Sequence, residues 1–115
     1  MWIQLGSLLM FLGVVLGAFG AHALRARLSD YYLEIYKTAV LYHFIHAIGL
    51  FLVAWLSQET ASFKITLAGY FFMAGIMLFS GSLYFLSVTQ IKWLGAITPV
   101  GGICFLLGWL LLMAR

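Results

Sequence analysis

Three histidines and a few hydroxyl side chains are the groups in this chain whose chemistry matters most where the pattern places them. His22 closes the first apolar run, and His43 and His46 lie three residues apart in the second, on one helical face. Ser80, Ser82 and Tyr84 alternate in a third run, and Thr98 precedes the single proline, Pro99, in a fourth. The plainest use of neutral imidazoles and hydroxyls in lipid is hydrogen bonding between helices, at about 1 kcal/mol each. A metal or haem site would draw on His22, His43 and His46, but a His-x-x-His pair without an intramembrane carboxylate is a weak ligand pattern. A proton relay or a polar ligand pocket is the third use, because imidazole titrates near neutral pH. No cofactor is expected from these residues.

The rest of the chemistry is sparse. There is no Gly-rich phosphate loop, nucleophile elbow or pair of catalytic carboxylates, so an enzyme is the less favoured class. Asp30, Glu34 and Glu59 are the only acids, and Asp30 and Glu34, four residues apart, read as a solvated helix face. The lack of an intramembrane acid argues against a carboxylate-driven exporter like the small multidrug resistance proteins, which share this size and helix count. Cys104 stands alone in an apolar run, where packing is its expected role. The net charge of +3 comes from scattered basic residues with no block suited to nucleic acid.

Composition says what must hold these groups. Of the 115 residues, 65% are apolar and 8% charged, whereas soluble domains carry roughly 25% charged residues. Lipid must cover most of the surface. Four charge-free stretches reach the roughly 20 residues that cross a bilayer, and their continuous apolar character suits helices rather than barrel strands. The expectation is an all-α, four-helix transmembrane bundle. It forms one domain over 1–115, with helices at about 2–23, 30–57, 65–89 and 93–114. Ala21-His22-Ala23 mimics a signal-peptidase site, but no Lys or Arg precedes the first run, so a retained helix is expected.

Arg25, Arg27, Lys37 and Lys92 lie on one side of this arrangement, and Lys64 and Arg115 on the other. The excess puts the first and third loops in the cytoplasm and both termini outside. Asp30, Glu34, Lys37 and Leu41 share one face of the second helix. Tyr32, Tyr36, Ala39, His43, His46, Leu50 and Val53 follow a 4-3-4-3-4-3 seam that should face the bundle. Gly13, Gly17 and Ala21 form a small-residue stripe on the first helix, and Gly101, Gly102, Cys104 and Gly108 supply small residues on the fourth. Both groups are expected to admit close helix contact. Pro99 is expected to kink the fourth helix, since a helix starting there would hold only 16 residues, about 24 Å.

Gly17 to Leu24 (GAFGAHAL), Tyr42-His43 with His46-Ala47, Phe79 to Tyr84 (FSGSLY), and Thr98 to Gly102 (TPVGG) with Gly108-Trp109 occur in that order. Together they resemble the small bacterial inner-membrane family typified by YgdD and YwdK, domain of unknown function 423, which is related to a eukaryotic four-helix transmembrane protein. The resemblance implies a multi-pass plasma-membrane protein without an established activity. It also implies that relatives often carry Gln at the position of His43.

The expected function is binding of a small polar ligand, lipid headgroup or partner helix. The expected partners are the lipid bilayer and a second copy of the chain, with no nucleic acid. His22, His43, His46, Ser80, Ser82, Tyr84 and Thr98 fall in one half of the bilayer. They are expected to converge on one pocket centred on His22 and His46, with Tyr32 and Tyr36 at its mouth. The alternatives are an oligomeric transport protein and a haem- or metal-binding protein using His22, His43 and His46.

Overall fold

Apolar runs become helices because lipid offers their backbone no other hydrogen-bond partner. In the computed structural model, which describes all 115 residues, the first helix runs Trp2–Leu24, the second Asp30–Glu59, the third Phe63–Thr89 and the fourth Lys92–Met113. Each is long and apolar enough to cross a membrane. Ser29 caps the second helix by accepting the Tyr32 N–H at 3.4 Å, and Asp30 lies in its first turn, where the helix dipole favours an acid. Gln90 stops the third helix in the left-handed conformation, φ 61°, and returns its N–H to Leu86.

Three helices depart from regular α geometry. The first ends in a π-helical turn, Gly20–Leu24, and the third contains another at Ile76–Ser80. The fourth begins as a 3-10 helix, Lys92–Ala96, and becomes α-helical over Thr98–Met113. The expected proline kink within a continuous helix is therefore corrected. Pro99 sits in the first turn of the α segment, where a missing N–H costs nothing. The tighter 3-10 turns rise about 2 Å per residue, so the preceding five residues add about 10 Å to the roughly 24 Å of α-helix. That restores a membrane-crossing length.

The first helix packs on the second, the second on the third, and the third on the fourth. The cross-section is flattened, 26 × 17 Å against a long axis of 47 Å, and leaves no central lumen. The second helix is the most buried of the four. Tyr36, Ala39, His43, His46, Leu50 and Val53 all lie buried along its seam, and Asp30, Glu34, Lys37 and Leu41 lie exposed. The apolar core gathers toward the end that carries both termini, around Trp2, Leu50, Val53, Ile65, Phe72 and Leu112.

Glycines set the helix spacing, though not with the pattern the stripe implied. A Cβ on Gly13 would lie 2.8 Å from the Phe44 ring, and one on Gly20 2.2 Å from the Tyr36 ring. At Gly17 it would meet nothing nearer than Val40 at 3.5 Å. Gly13 and Gly20, seven residues apart, are thus the tight contacts, and both receive aromatic rings. Gly101 is the true backbone approach: its Cβ would fall 2.3 Å from the Phe79 nitrogen, whereas one on Gly102 stays 3.8 Å from the Phe79 ring. Gly101→Ala is expected to cost about 1–3 kcal/mol through overpacking, with Gly102→Ala within about 0.5 kcal/mol of the parent. Thermal unfolding in detergent measures both, and equal losses would contradict the close approach.

Candidate functional site

His43 and His46 lie on the buried seam of the second helix, each 3% exposed. His43 Nε2 is 2.7 Å from the Leu9 carbonyl and Nδ1 is 2.8 Å from the Tyr84 hydroxyl. A carbonyl only accepts, so Nε2 donates, and the neutral ring accepts at Nδ1 from the Tyr84 O–H. His46 takes the opposite tautomer. Its Nδ1–H donates to the Tyr42 carbonyl at 2.7 Å, and its Nε2 accepts the Trp109 indole N–H at 3.0 Å. The His46 ring stacks on Phe105 with centroids 3.5 Å apart and planes 9° apart. All four ring nitrogens are engaged. His43 thereby ties the first and third helices to the second, and His46 ties the second to the fourth.

The hydroxyls close the remaining gaps. Ser80, fully buried, donates to the Ala39 carbonyl at 2.8 Å. Ser82 donates to the Phe79 carbonyl at 3.0 Å and accepts from the Thr98 hydroxyl at 2.6 Å. Thr98 therefore holds the fourth helix to the third instead of capping its own helix. The Tyr36 hydroxyl donates to the Leu16 carbonyl, and its ring lies 5.3 Å from that of Tyr84. No buried side-chain polar atom is left without a partner.

His22 stands apart from this network. Gly20 and Leu24 are the buried residues of the π turn, and His22, midway between them, faces outward and is exposed. The expected centre on His22 and His46 is therefore not formed. The set His22, His43 and His46 does not converge either, and no three His, Cys, Asp or Glu side chains approach as a metal-holding group. The other six candidates do join helices, but as separate bonds along the interfaces rather than around one cavity. Sequence reasoning missed Ser87, which is buried and donates to the Tyr84 carbonyl at 2.9 Å, and Trp109, which entered there only within the Gly108-Trp109 motif. The backbone acceptors Leu9, Leu16 and Ala39 carry no side-chain signal at all.

An opening toward lipid lies beside His46. The second and fourth helix backbones remain apart, and the groove between them, about 620 Å³, is lined by Tyr42, His46, Phe79, Pro99, Gly102 and Trp109, among others. The π turn carries Phe79 into one wall, and the start of the α segment carries Pro99 into another. The Tyr42 ring lies 4.5 Å from that of Phe79 and 6.1 Å from that of His46. Tyr42 is 37% exposed, and its hydroxyl has no partner within the chain.

Residues 16–102 match the model of a family described as a protein of unknown function, DUF423. The chain belongs to the DUF423 family. It is 50% identical over 113 residues to the UPF0382 membrane protein YwdK of Bacillus subtilis (strain 168), a match covering 97% of this chain and 92% of YwdK. It is 48% identical over 112 residues to the UPF0382 membrane protein SERP0230 of Staphylococcus epidermidis, covering 97% and 91% respectively. With SH2409 of Staphylococcus haemolyticus the identity is 45% over 113 residues, covering 98% and 92%. No solved structure matches. With its four membrane-length helices, this DUF423 chain is a multi-pass bacterial membrane protein.

The His43 geometry needs one donor and one acceptor, which a glutamine amide also supplies. His43→Gln is expected to keep stability within about 1 kcal/mol of the parent. His43→Leu, which strands the Tyr84 hydroxyl, is expected to cost about 1–3 kcal/mol. Unfolding in detergent compares the two, and equal losses would rule out the donor–acceptor reading.

Proposed function

We propose that this chain is a non-enzymatic membrane protein that receives a membrane-soluble ligand in the groove between its second and fourth helices. The ligand is an apolar molecule with one hydrogen-bond-accepting group, lipids included. The observation that carries this reading is Tyr42, which lines the groove and whose hydroxyl has no partner within the chain, in a setting where unpaired polar groups are costly. The groove volume, about 620 Å³, also suits a ligand site, for which 300–1,000 Å³ is usual. In this reading His46 forms the floor through Trp109. His43, Ser80, Ser82, Tyr84 and Thr98 hold the walls in place, and His22 stays outside.

A partner helix from a second copy is the competing occupant, since Ile103 and Leu106 form an exposed apolar rim. Transport has less support, because the protomer interior is closed by paired polar groups and a path would have to run between protomers. Metal or haem binding through the histidines would require breaking the bonds that now occupy both nitrogens of His43 and His46.

The proposed orientation places the first and third loops in the cytoplasm, following the four-to-two excess of Lys and Arg. In a Cys104→Ser background, Thr60→Cys is expected to react with an impermeant thiol reagent in intact cells. Leu28→Cys is expected to react only after permeabilisation. The reverse pattern would invert the topology, and equal labelling would mean dual insertion.

The groove itself is tested by Gly102→Leu, which fills it from a position where a Cβ makes only ordinary contact, and by Tyr42→Phe. Native mass spectrometry of the wild type is expected to show a retained lipid or small molecule that both variants lose. Identical adducts on all three proteins would sink the proposal. A wild-type dimer that Gly102→Leu converts to a monomer would assign the groove to a partner helix instead.

A further inference from the structure

A second opening lies at the other face of the second helix, independent of the groove over His46. It is a cleft of about 360 Å³ between the first and second helices, lined by Gly17, Gly20, Tyr36, Val40, Arg25 and Lys37, among others. Its inner wall is held firmly: Gly20 sits against the Tyr36 ring, and the Tyr36 hydroxyl is tied to the Leu16 carbonyl. Its floor has room, since Gly17 makes no close contact. Its rim carries two cations and no acid lines it. Arg25 follows directly on the last turn of the first helix, and Lys37 comes just before the charge-free stretch of the second, so both stand at the membrane boundary.

Neither cation is strongly engaged. Arg25 makes no ion pair, and the one salt bridge in the chain joins Lys37 to Glu34 at 3.3 Å with both side chains largely exposed. An exposed pair of this kind is worth little and exchanges readily. A phosphate oxygen could therefore take Lys37 from Glu34, while the planar Arg25 guanidinium offers two parallel donors. The cleft thus pairs a cationic rim with an apolar floor that continues toward lipid past the exposed Ala18 and Ala21. We infer that it is a binding site for the phosphate headgroup of an anionic phospholipid, with the glycerol and upper acyl chain lying along Gly17 and Val40. The charge selects the headgroup, and the location at the bilayer edge selects a lipid over a soluble phosphate.

The test uses the full chain carrying Gly102→Leu, which fills the groove over His46 and leaves the cleft untouched, in uncharged detergent, titrated with short-chain phosphatidylglycerol and followed by native mass spectrometry. The expected result is saturable binding that weakens about tenfold or more in the double variant Arg25→Gln/Lys37→Gln. Arg27→Gln, which removes a cation outside the cleft, should leave binding unchanged. Gly17→Leu, which fills the floor without altering charge, should abolish binding while unfolding curves show the fold intact. Phosphatidylcholine should not saturate, and inorganic phosphate should not compete. Equal weakening by Arg27→Gln would reduce the effect to general surface charge and overturn the site. Equal binding of phosphatidylcholine, or insensitivity to the double variant or to Gly17→Leu, would also overturn it. Competition by inorganic phosphate would overturn the lipid assignment in favour of a soluble phosphate ligand. With the groove over His46 filled in every protein compared, none of these outcomes depends on that groove.

Discussion

Inside a bilayer a hydrogen-bonding group has no water to turn to, so each one must find a partner within the protein. That constraint governs the half of this bundle where the polar residues gather. His43 and His46 project from the same seam, three residues apart, yet take opposite tautomers, because a different ring nitrogen of each meets a backbone carbonyl. Each carbonyl demands a proton, and the nitrogen left over must accept one, from Tyr84 in one case and Trp109 in the other. A single helix thereby holds the other three, with Ser80 and Ser82 closing the contacts that the histidines do not reach.

The rest of the helix contact is built on shape. Lipid tails are as apolar as the core side chains, so apolar burial gives little drive for association and close contact must supply it. Aromatic rings seated on glycines provide that contact at Gly13 and Gly20, and a direct backbone approach provides it where Gly101 meets Phe79. The flattened cross-section follows from helices packed in chain order. With no closed ring of helices there is no lumen, and the openings lie on the outer faces.

Both openings coincide with irregular helix. The π turn at Gly20–Leu24 borders the cleft beside Arg25 and Lys37. The π turn at Ile76–Ser80 and the junction of 3-10 and α-helix before Thr98 border the groove over His46. A π turn widens the helix and shifts the side chains that follow, and such turns are frequent at functional sites. Here they move ring and proline side chains to the edges of cavities while other residues keep the hydrogen bonds intact.

The four spans, the buried seam of the second helix and its exposed charged face were all legible in the sequence, because hydropathy and helical period act locally. The resemblance carried by the glycine, histidine and Thr-Pro motifs was legible for the same reason. What the sequence could not determine is which polar residues meet. His22 looked equivalent to His46, but the π turn that buries Gly20 and Leu24 turns it outward, and nothing in a one-dimensional pattern announces a π turn. Ser80, Tyr36 and one nitrogen of His43 bond to backbone carbonyls of other helices, which every residue type provides and no side chain marks. Trp109 stood in the sequence only within a motif and Thr98 only as a hydroxyl before a proline, and only helix packing turned them into partners for His46 and Ser82. Sequence by itself determined the membrane-spanning elements, because each is settled by its own residues and the lipid around it. Tertiary structure decided the pairing and the openings, because a bond between helices depends on the rotation of both.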